Sequence, residues 1–392
     1  MVPLLLRYLS AADYTLWLLY SAICGATAQV QTAVMSVSTK DIAFAFHHGT
    51  SDDLRNALHR SRRAYAILAA VVAGPVLLTA AGYFRVTQHA AGVELTAWAA
   101  LAGSYSLVYL FAPNNAILLA TERVGEYSNI NTITRLLQFG GTIVFLTFGF
   151  SILAPCLALA AASLVSISAN SICAKRRILA HTPKPIQALN GIVRGSIGRF
   201  GLYVFTSFMI YNGAFLIAAP LFPMEAASYG FALQASALLS AIALVPLQLG
   251  LSKLIRSSGT GERQELKRTL VVCNALFALG YLSVAWIAPP VLTLIGASIA
   301  LPTIGILMLM YVAFSIELNI SILANHLTAK GNYSFARWYA FIAFTSLAIG
   351  TFVAWTSGLL WLGFLVIPAT IQASLNLSRI VRVTMAHLHA TA

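Results

Sequence analysis

The sequence is short of charge before it is short of anything else. Asp, Glu, Lys and Arg make up 9% of its 392 residues, where a soluble domain carries about a quarter. So few charges cannot clothe a water-facing surface, so the composition leaves no room for a soluble enzyme domain. Cysteine is scarce too. Cys24, Cys156, Cys173 and Cys273 lie in apolar context without a C-x-x-C pair, which excludes a disulfide framework and reads as small buried hydrophobes. No Walker A sequence, Rossmann glycine run or H-E-x-x-H occurs, so ATP-driven transport, dinucleotide binding and metalloprotease chemistry lack their motifs. His47 and His48 are adjacent and do not have the spacing of a metal site; no metal and no cofactor is expected. The opening MVPLLLRYLS has too short an apolar run for a cleavable signal peptide, and no small-residue cleavage motif follows it.

What fills the chain is apolar: 59% hydrophobic residues and a mean hydropathy of +0.82. A membrane-crossing helix needs about 20 mostly apolar residues. Eleven stretches qualify: 14–37, 64–84, 95–118, 134–151, 152–174, 199–220, 228–252, 269–288, 297–323, 338–356 and 358–378. The expected fold is an all-α polytopic membrane protein. With eleven spans and an outside N-terminus, all of the 24 Lys and Arg except Arg7 and Arg85 fall on one side. One missed or invented span would scramble that partition in every later loop, so the positive-inside rule supports the count and places the C-terminus in the cytosol. The same rule accounts for the net charge of +13. The clusters HRSRR at 59–63 and AKRR at 174–177 have no interleaved aromatics and read as contacts to lipid headgroups, not nucleic acid.

The chain also repeats itself. AADYTLWLLYSAI at 11–23 resembles AASYGFALQASAL at 226–238, and LRNALHRS at 54–61 resembles ERQELKRT at 262–269, matching Arg55 with Arg263, Leu58 with Leu266 and Arg60 with Arg268. Each half holds a long span, a basic hairpin and a second span in the same orientation, a parallel repeat with a pseudo-twofold along the membrane normal. The organisation expected is an N-terminal lobe of five spans over 1–178, a cytosolic linker over 179–198 and a C-terminal lobe of six spans over 199–392. The second lobe has a span ahead of its AASYG segment, whereas ten residues precede AADYT; the repeat therefore predicts a twelve-span plan lacking its first helix, with MVPLLLRYLS as the exit end of that helix.

RYLSAADYTLWLL, followed by a long span and a basic loop, resembles the start of bacterial lipid-linked oligosaccharide flippases, the O-antigen and exopolysaccharide translocases of the multidrug/oligosaccharidyl-lipid/polysaccharide (MOP) exporter superfamily. Tyr8, Leu9, Ser10, Tyr14 and Trp17 fit that pattern, Thr15 stands where Gly is usual, and the second copy keeps Ser228, Tyr229 and Gly230. The resemblance implies two helical lobes around a cavity and alternating access on an undecaprenyl-diphosphate-linked sugar at the inner membrane, in polysaccharide or lipopolysaccharide assembly. It further implies no catalytic residue, membrane lipids and a polysaccharide polymerase as partners, and coupling to a proton or sodium gradient. A drug or cation antiporter of the same superfamily and a truncated inactive homologue remain open. An integral-membrane polymerase or glycosyltransferase would want a large outside loop, and these are short.

On that reading a cavity needs cations for the diphosphate, amides and hydroxyls for the glycan, and rings to stack on sugars. The diphosphate candidates are Arg123, Arg135, Lys40, Arg199 and Arg256 at span entrances, the first two foremost, although positive-inside placement alone explains such residues. For the glycan they are Gln29, Gln31, Asn114, Asn115, Tyr211, Asn212, Gln234 and Gln248. Asn114 and Asn115 follow Pro113, which kinks a helix and frees a carbonyl; the same amides also glue helices together. Glu317, in FSIELNIS, is the clearest ionisable residue within a span. It either couples transport to an ion or pairs with Arg337 or Lys330.

Overall fold

The computed structural model describes residues 5, 7–88, 90–179, 194–247, 259–294, 296, 302–330 and 332–390. Among these every regular element is helical. The chain divides into two compact units, Met1–Ile197 and Gly198–Ala392. Most of the linker expected over 179–198 falls outside the described residues.

In the N-terminal unit the order is α1 Ala11–His48, α2 Ser51–Val71, a π turn Val72–Val76, α3 Leu77–Thr87, α4 Val93–Phe111, α5 Pro113–Ala120, α6 Val124–Thr147 and α7 Leu153–Leu179. Ser10 starts α1 by accepting the Asp13 N–H at 3.1 Å, which satisfies one of the orphan donors of the first turn. The chain turns at Gly49, where a Cβ would meet the Ala45 carbonyl oxygen at 2.8 Å. Thr50 and Asp53 then form a reciprocal capping box that opens α2. Pro75 lies in the π turn, the local widening that accommodates a residue unable to donate to the ladder. Pro113 acts as expected from the sequence: α4 and α5 meet there at 44°.

The C-terminal unit is entered partway along α8 Arg194–Phe208 and continues with a π turn Met209–Gly213, α9 Ala214–Leu221, α10 Pro223–Ala243, α11 Gly259–Leu294, α12 Ile304–Ala329 and α13 Ala336–Ser357. It ends with π turns Leu362–Val366 and Gln372–Leu377 flanking α14 Ile367–Ile371, then α15 Ser378–Ala390. The final span packs on α13 backbone to backbone: a Cβ on Gly350 would collide with the Gly363 carbonyl oxygen, and one on Gly363 with that of Gly350. Close approach of this kind is how helices associate where lipid removes the hydrophobic incentive.

Eight described helices, or nine if α4 and α5 count as one bent span, are long and apolar enough to cross a membrane. The two remaining stretches of the sequence-based eleven lie on α1 and α6. Both are long, 38 and 24 residues, but they carry Gln29, Gln31, Lys40 and Asp41 in one case and Glu126, Arg135 and Gln138 in the other. The repeat is visible in burial: Tyr14 and Tyr229, at matching positions of the repeated segment, are both fully buried.

Candidate functional site

The N-terminal unit presents an open groove of about 530 Å³ along the start of α6, lined by Tyr127, Ser128, Asn131, Thr132 and Arg135 with Leu119, Val124 and Leu136. Helical spacing puts Ser128, Asn131, Thr132 and Arg135 on one face. Arg135 is exposed, and one guanidinium nitrogen donates to Gln138 Oε1 at 3.2 Å, which anchors the side chain while leaving other donors of its fork to a ligand. Arg123, twelve residues earlier in the same short stretch, stands at the mouth of α6 in a 3.1 Å ion pair with Glu126 and does not line the groove. The structure separates two cations that sequence position alone ranked together.

Other candidates of this unit are spent on packing or lie apart. Asn114 donates to Ser171 Oγ at 2.8 Å, tying α5 to α7, while Asn115 is half-buried. Gln31 contacts Met35 Sδ at 3.8 Å within α1, Gln29 is half-buried on the same helix and Lys40 is exposed near its end.

In the C-terminal unit Glu317 sits on α12, 8% exposed. Its partners are neither Arg337 nor Lys330 but hydroxyls: Ser207 Oγ of α8 and Tyr339 OH of α13 both donate to Oε1 at 2.6 Å. Oε2 is buried without a partner. The network continues: Asn376 donates to the Tyr339 carbonyl oxygen at 3.4 Å and to Gln372 Oε1 at 2.6 Å, and Gln372 reaches Ser346 Oγ at 3.4 Å. Nearby, Tyr203 donates to Ser321 Oγ. A carboxylate held by two hydroxyls, with its second oxygen free, can take up or release a proton without moving its neighbours.

Tyr211, in the π turn directly beyond Ser207, stacks on Phe314 with ring centroids 4.3 Å apart and donates to the Ala313 carbonyl oxygen at 3.1 Å. It is packed inside the unit. Asn212 donates to the Phe208 carbonyl oxygen, Gln234 is half-buried on α10 and Arg199 is exposed on α8. Arg256 and Gln248 lie outside the described residues.

Sequence reasoning missed Ser207 and Tyr339 as partners of Glu317. It also missed a second buried acid: Glu262 of α11 meets His326 of α12, Lys330 just beyond that helix and His387 of α15. The matching of ERQELKRT to its N-terminal counterpart was the one signal pointing at Glu262, and it carried no hint of the histidines.

No family model and no curated protein sequence matches the chain. Solved structures do. An inward-facing multidrug resistance MATE family transporter of the MOP superfamily matches with a TM-score of 0.67 at 15% identity, over 100% of this chain and 94% of that one. The fold is that of the MOP transporters. A MOP superfamily transporter from Pyrococcus furiosus matches at a TM-score of 0.62 and 14% identity over 100% and 94% of the two chains. An outward-facing MATE structure matches at 0.57 and 13% over 96% and 86%. At these identities the shared property is the fold, with its multi-pass helical plan, and chemistry has to be argued from the residues.

Proposed function

We propose that the chain is a non-enzymatic secondary transporter of the bacterial inner membrane, with a cytosolic C-terminus, that moves an undecaprenyl-diphosphate-linked oligosaccharide from the inner to the outer leaflet by alternating access. The observation that carries this reading is Arg135 on the face of an open groove otherwise made of hydroxyl, amide, phenol and apolar groups. A guanidinium matches diphosphate oxygens two at a time. Ser128, Asn131 and Thr132 offer donors and acceptors to a hydrated glycan, and Leu119, Val124 and Leu136 keep the groove continuous with lipid for the isoprenoid. Glu317 supplies the coupling: adding or removing a proton at Oε2 changes the charge buried in the C-terminal unit. In insertion measurements an ionised side chain in mid-membrane costs about 2.5–3.5 kcal/mol, enough to bias an equilibrium between two access states roughly a hundredfold. A polysaccharide polymerase on the outer face would consume the product.

The test is a leaflet-accessibility assay in proteoliposomes with a fluorescent polyprenyl-diphosphate oligosaccharide. The wild-type chain is expected to expose inner-leaflet probe, Arg135→Ala to slow this at least about tenfold, and Arg135→Lys to fall between. Folded wild-type protein that leaves the probe in its original leaflet, with or without a proton gradient, overturns the reading. A second reading, drug or cation antiport, is favoured by the buried carboxyl group of Glu317. Efflux of a cationic dye against a proton gradient, abolished by Glu317→Gln and unaccompanied by probe flipping, would select it.

A further inference from the structure

Beyond transport, the C-terminal unit contains a cluster assembled from three helices. Glu262 lies in the first turn of α11, His326 in the last turn of α12 and His387 near the end of α15. Glu262 Oε1 is 3.1 Å from His326 Nε2 and 3.7 Å from His387 Nε2. One ligand atom from each residue falls within 4.8 Å of the other two. Glu262 and His326 are fully buried, while the His387 side chain is 21% exposed. Lys330 approaches the other carboxylate oxygen, Oε2, at 3.4 Å.

Such proximity ordinarily means hydrogen bonding. Here both Glu262 oxygens and both ring nitrogens of His326 are buried without an aligned hydrogen bond, even across the 3.1 Å contact. Buried polar atoms left in this way are costly and uncommon. The imidazole nitrogen and the carboxylate oxygen therefore stand side by side without one donating into the other, the arrangement of groups that share a third atom. Two imidazoles and one carboxylate are the donor set of three-ligand zinc sites with an open fourth position. Oxygen-seeking Ca²⁺ and Mg²⁺ are poorly served by it.

We infer that Glu262, His326 and His387 form a binding site for a divalent transition-metal ion of the Zn²⁺ class, clasping α11, α12 and α15 together. Glu262 offers Oε1, while Lys330 holds Oε2 and neutralises the carboxylate when the ion is absent. The fourth ligand enters from the solvent-facing edge at His387. The clasp fixes the end of α15 on the unit, while at its start Arg379 lies over the Trp338 ring of α13, 4.4 Å from its centroid.

Co²⁺ is the probe. Full-length protein, purified in detergent and stripped with a chelator, is titrated with Co²⁺ and its visible d–d absorption recorded, then back-titrated with Zn²⁺. Expected are one Co²⁺ per chain with the intensity of a four-coordinate site, displacement by equimolar Zn²⁺, and a melting temperature raised by Zn²⁺ but not by Ca²⁺ or Mg²⁺. His387→Ala, at the exposed edge, leaves Glu262 with His326 and Lys330 and so keeps the fold. It should weaken Co²⁺ by more than the roughly 10–100-fold that even an outer-shell partner is worth. His326→Ala and Glu262→Gln should do the same, and His59→Ala, on the exposed side of α2, should not. Absence of the Co²⁺ spectrum in folded protein, or equal binding by His387→Ala and wild type, overturns the proposal; equal loss in His59→Ala would mark the binding as adventitious.

Discussion

In the N-terminal unit α2 lays Leu54 into an apolar cluster with Ile42, Ala45, Ala57, Ala116, Ile117, Ala120 and Ala174. In the C-terminal unit the matching segment puts Glu262 at the corresponding position, where it meets two histidines and a lysine. The flanking residues agree between the copies, with Leu58 against Leu266 and Arg60 against Arg268. A repeat thus keeps the helix start and its outward cations while one inward position changes from methyl groups to a carboxylate. The same asymmetry recurs deeper: both acids buried among the described residues, Glu262 and Glu317, belong to the C-terminal unit. In the N-terminal unit the cation proposed to bind the diphosphate, Arg135, lies on an open face. Duplicated architecture fixes where helices run, and leaves the chemistry of each copy free to diverge.

Reciprocal substitutions are the harshest way to break that comparison. Leu54→Glu would bury a carboxylate at a site 9% exposed within an apolar cluster, an uncompensated charge costing about 3–5 kcal/mol. We expect loss of monodisperse protein in detergent or a steep fall in melting temperature. Glu262→Leu should be far milder, because Lys330 lies at the edge with 15% of its side chain exposed and can reach water along its own stem. Equal tolerance of the two substitutions would mean that the difference between the copies has no structural root.

A smaller effect separates the two buried acids' roles from mere packing. Glu317→Leu leaves the Ser207 and Tyr339 hydroxyls without their acceptor and should cost about 2 kcal/mol. Glu317→Gln retains an acceptor oxygen at the same place and should cost under about 1 kcal/mol, yet it cannot exchange a proton. Thermal melting of the two variants beside gradient-driven transport checks this. If Glu317→Gln transports normally under a proton gradient, the hydroxyl-held carboxylate is a helix fastener and the coupling group lies elsewhere.

Much of the helical plan was legible because hydropathy and helix-breaking are local. Long apolar runs marked most of the spans, and Pro113 marked the 44° bend. The site was less so, for reasons that are equally physical. Glu317 stood out as a charge within an apolar run, but its partners are a serine and a tyrosine on other helices, and such hydroxyls are scattered throughout the chain. Glu262, His326 and His387 occupy three helices, so no spacing along the chain records their meeting. The π turn at Met209–Gly213 turned Tyr211 onto Phe314, an outcome set by tertiary packing that periodicity does not encode.

The mildest substitution sharpens the N-terminal side of the comparison. Arg123 is half-exposed, with 50% of its side chain in solvent, and pairs with Glu126 three residues on. An exposed pair of this kind contributes no more than about 0.5 kcal/mol. Arg123→Ala should therefore leave the melting temperature unchanged and slow probe flipping much less than Arg135→Ala, which removes a cation from the groove itself. On the topology expected from the sequence, positive-inside placement alone accounts for Arg123, whereas Arg135 lies three turns into α6, where that rule has less to say. Should Arg123→Ala abolish flipping at unchanged stability while Arg135→Ala does not, the diphosphate is held at the start of α6, where the helix end adds its own N–H groups, and the groove serves the glycan alone.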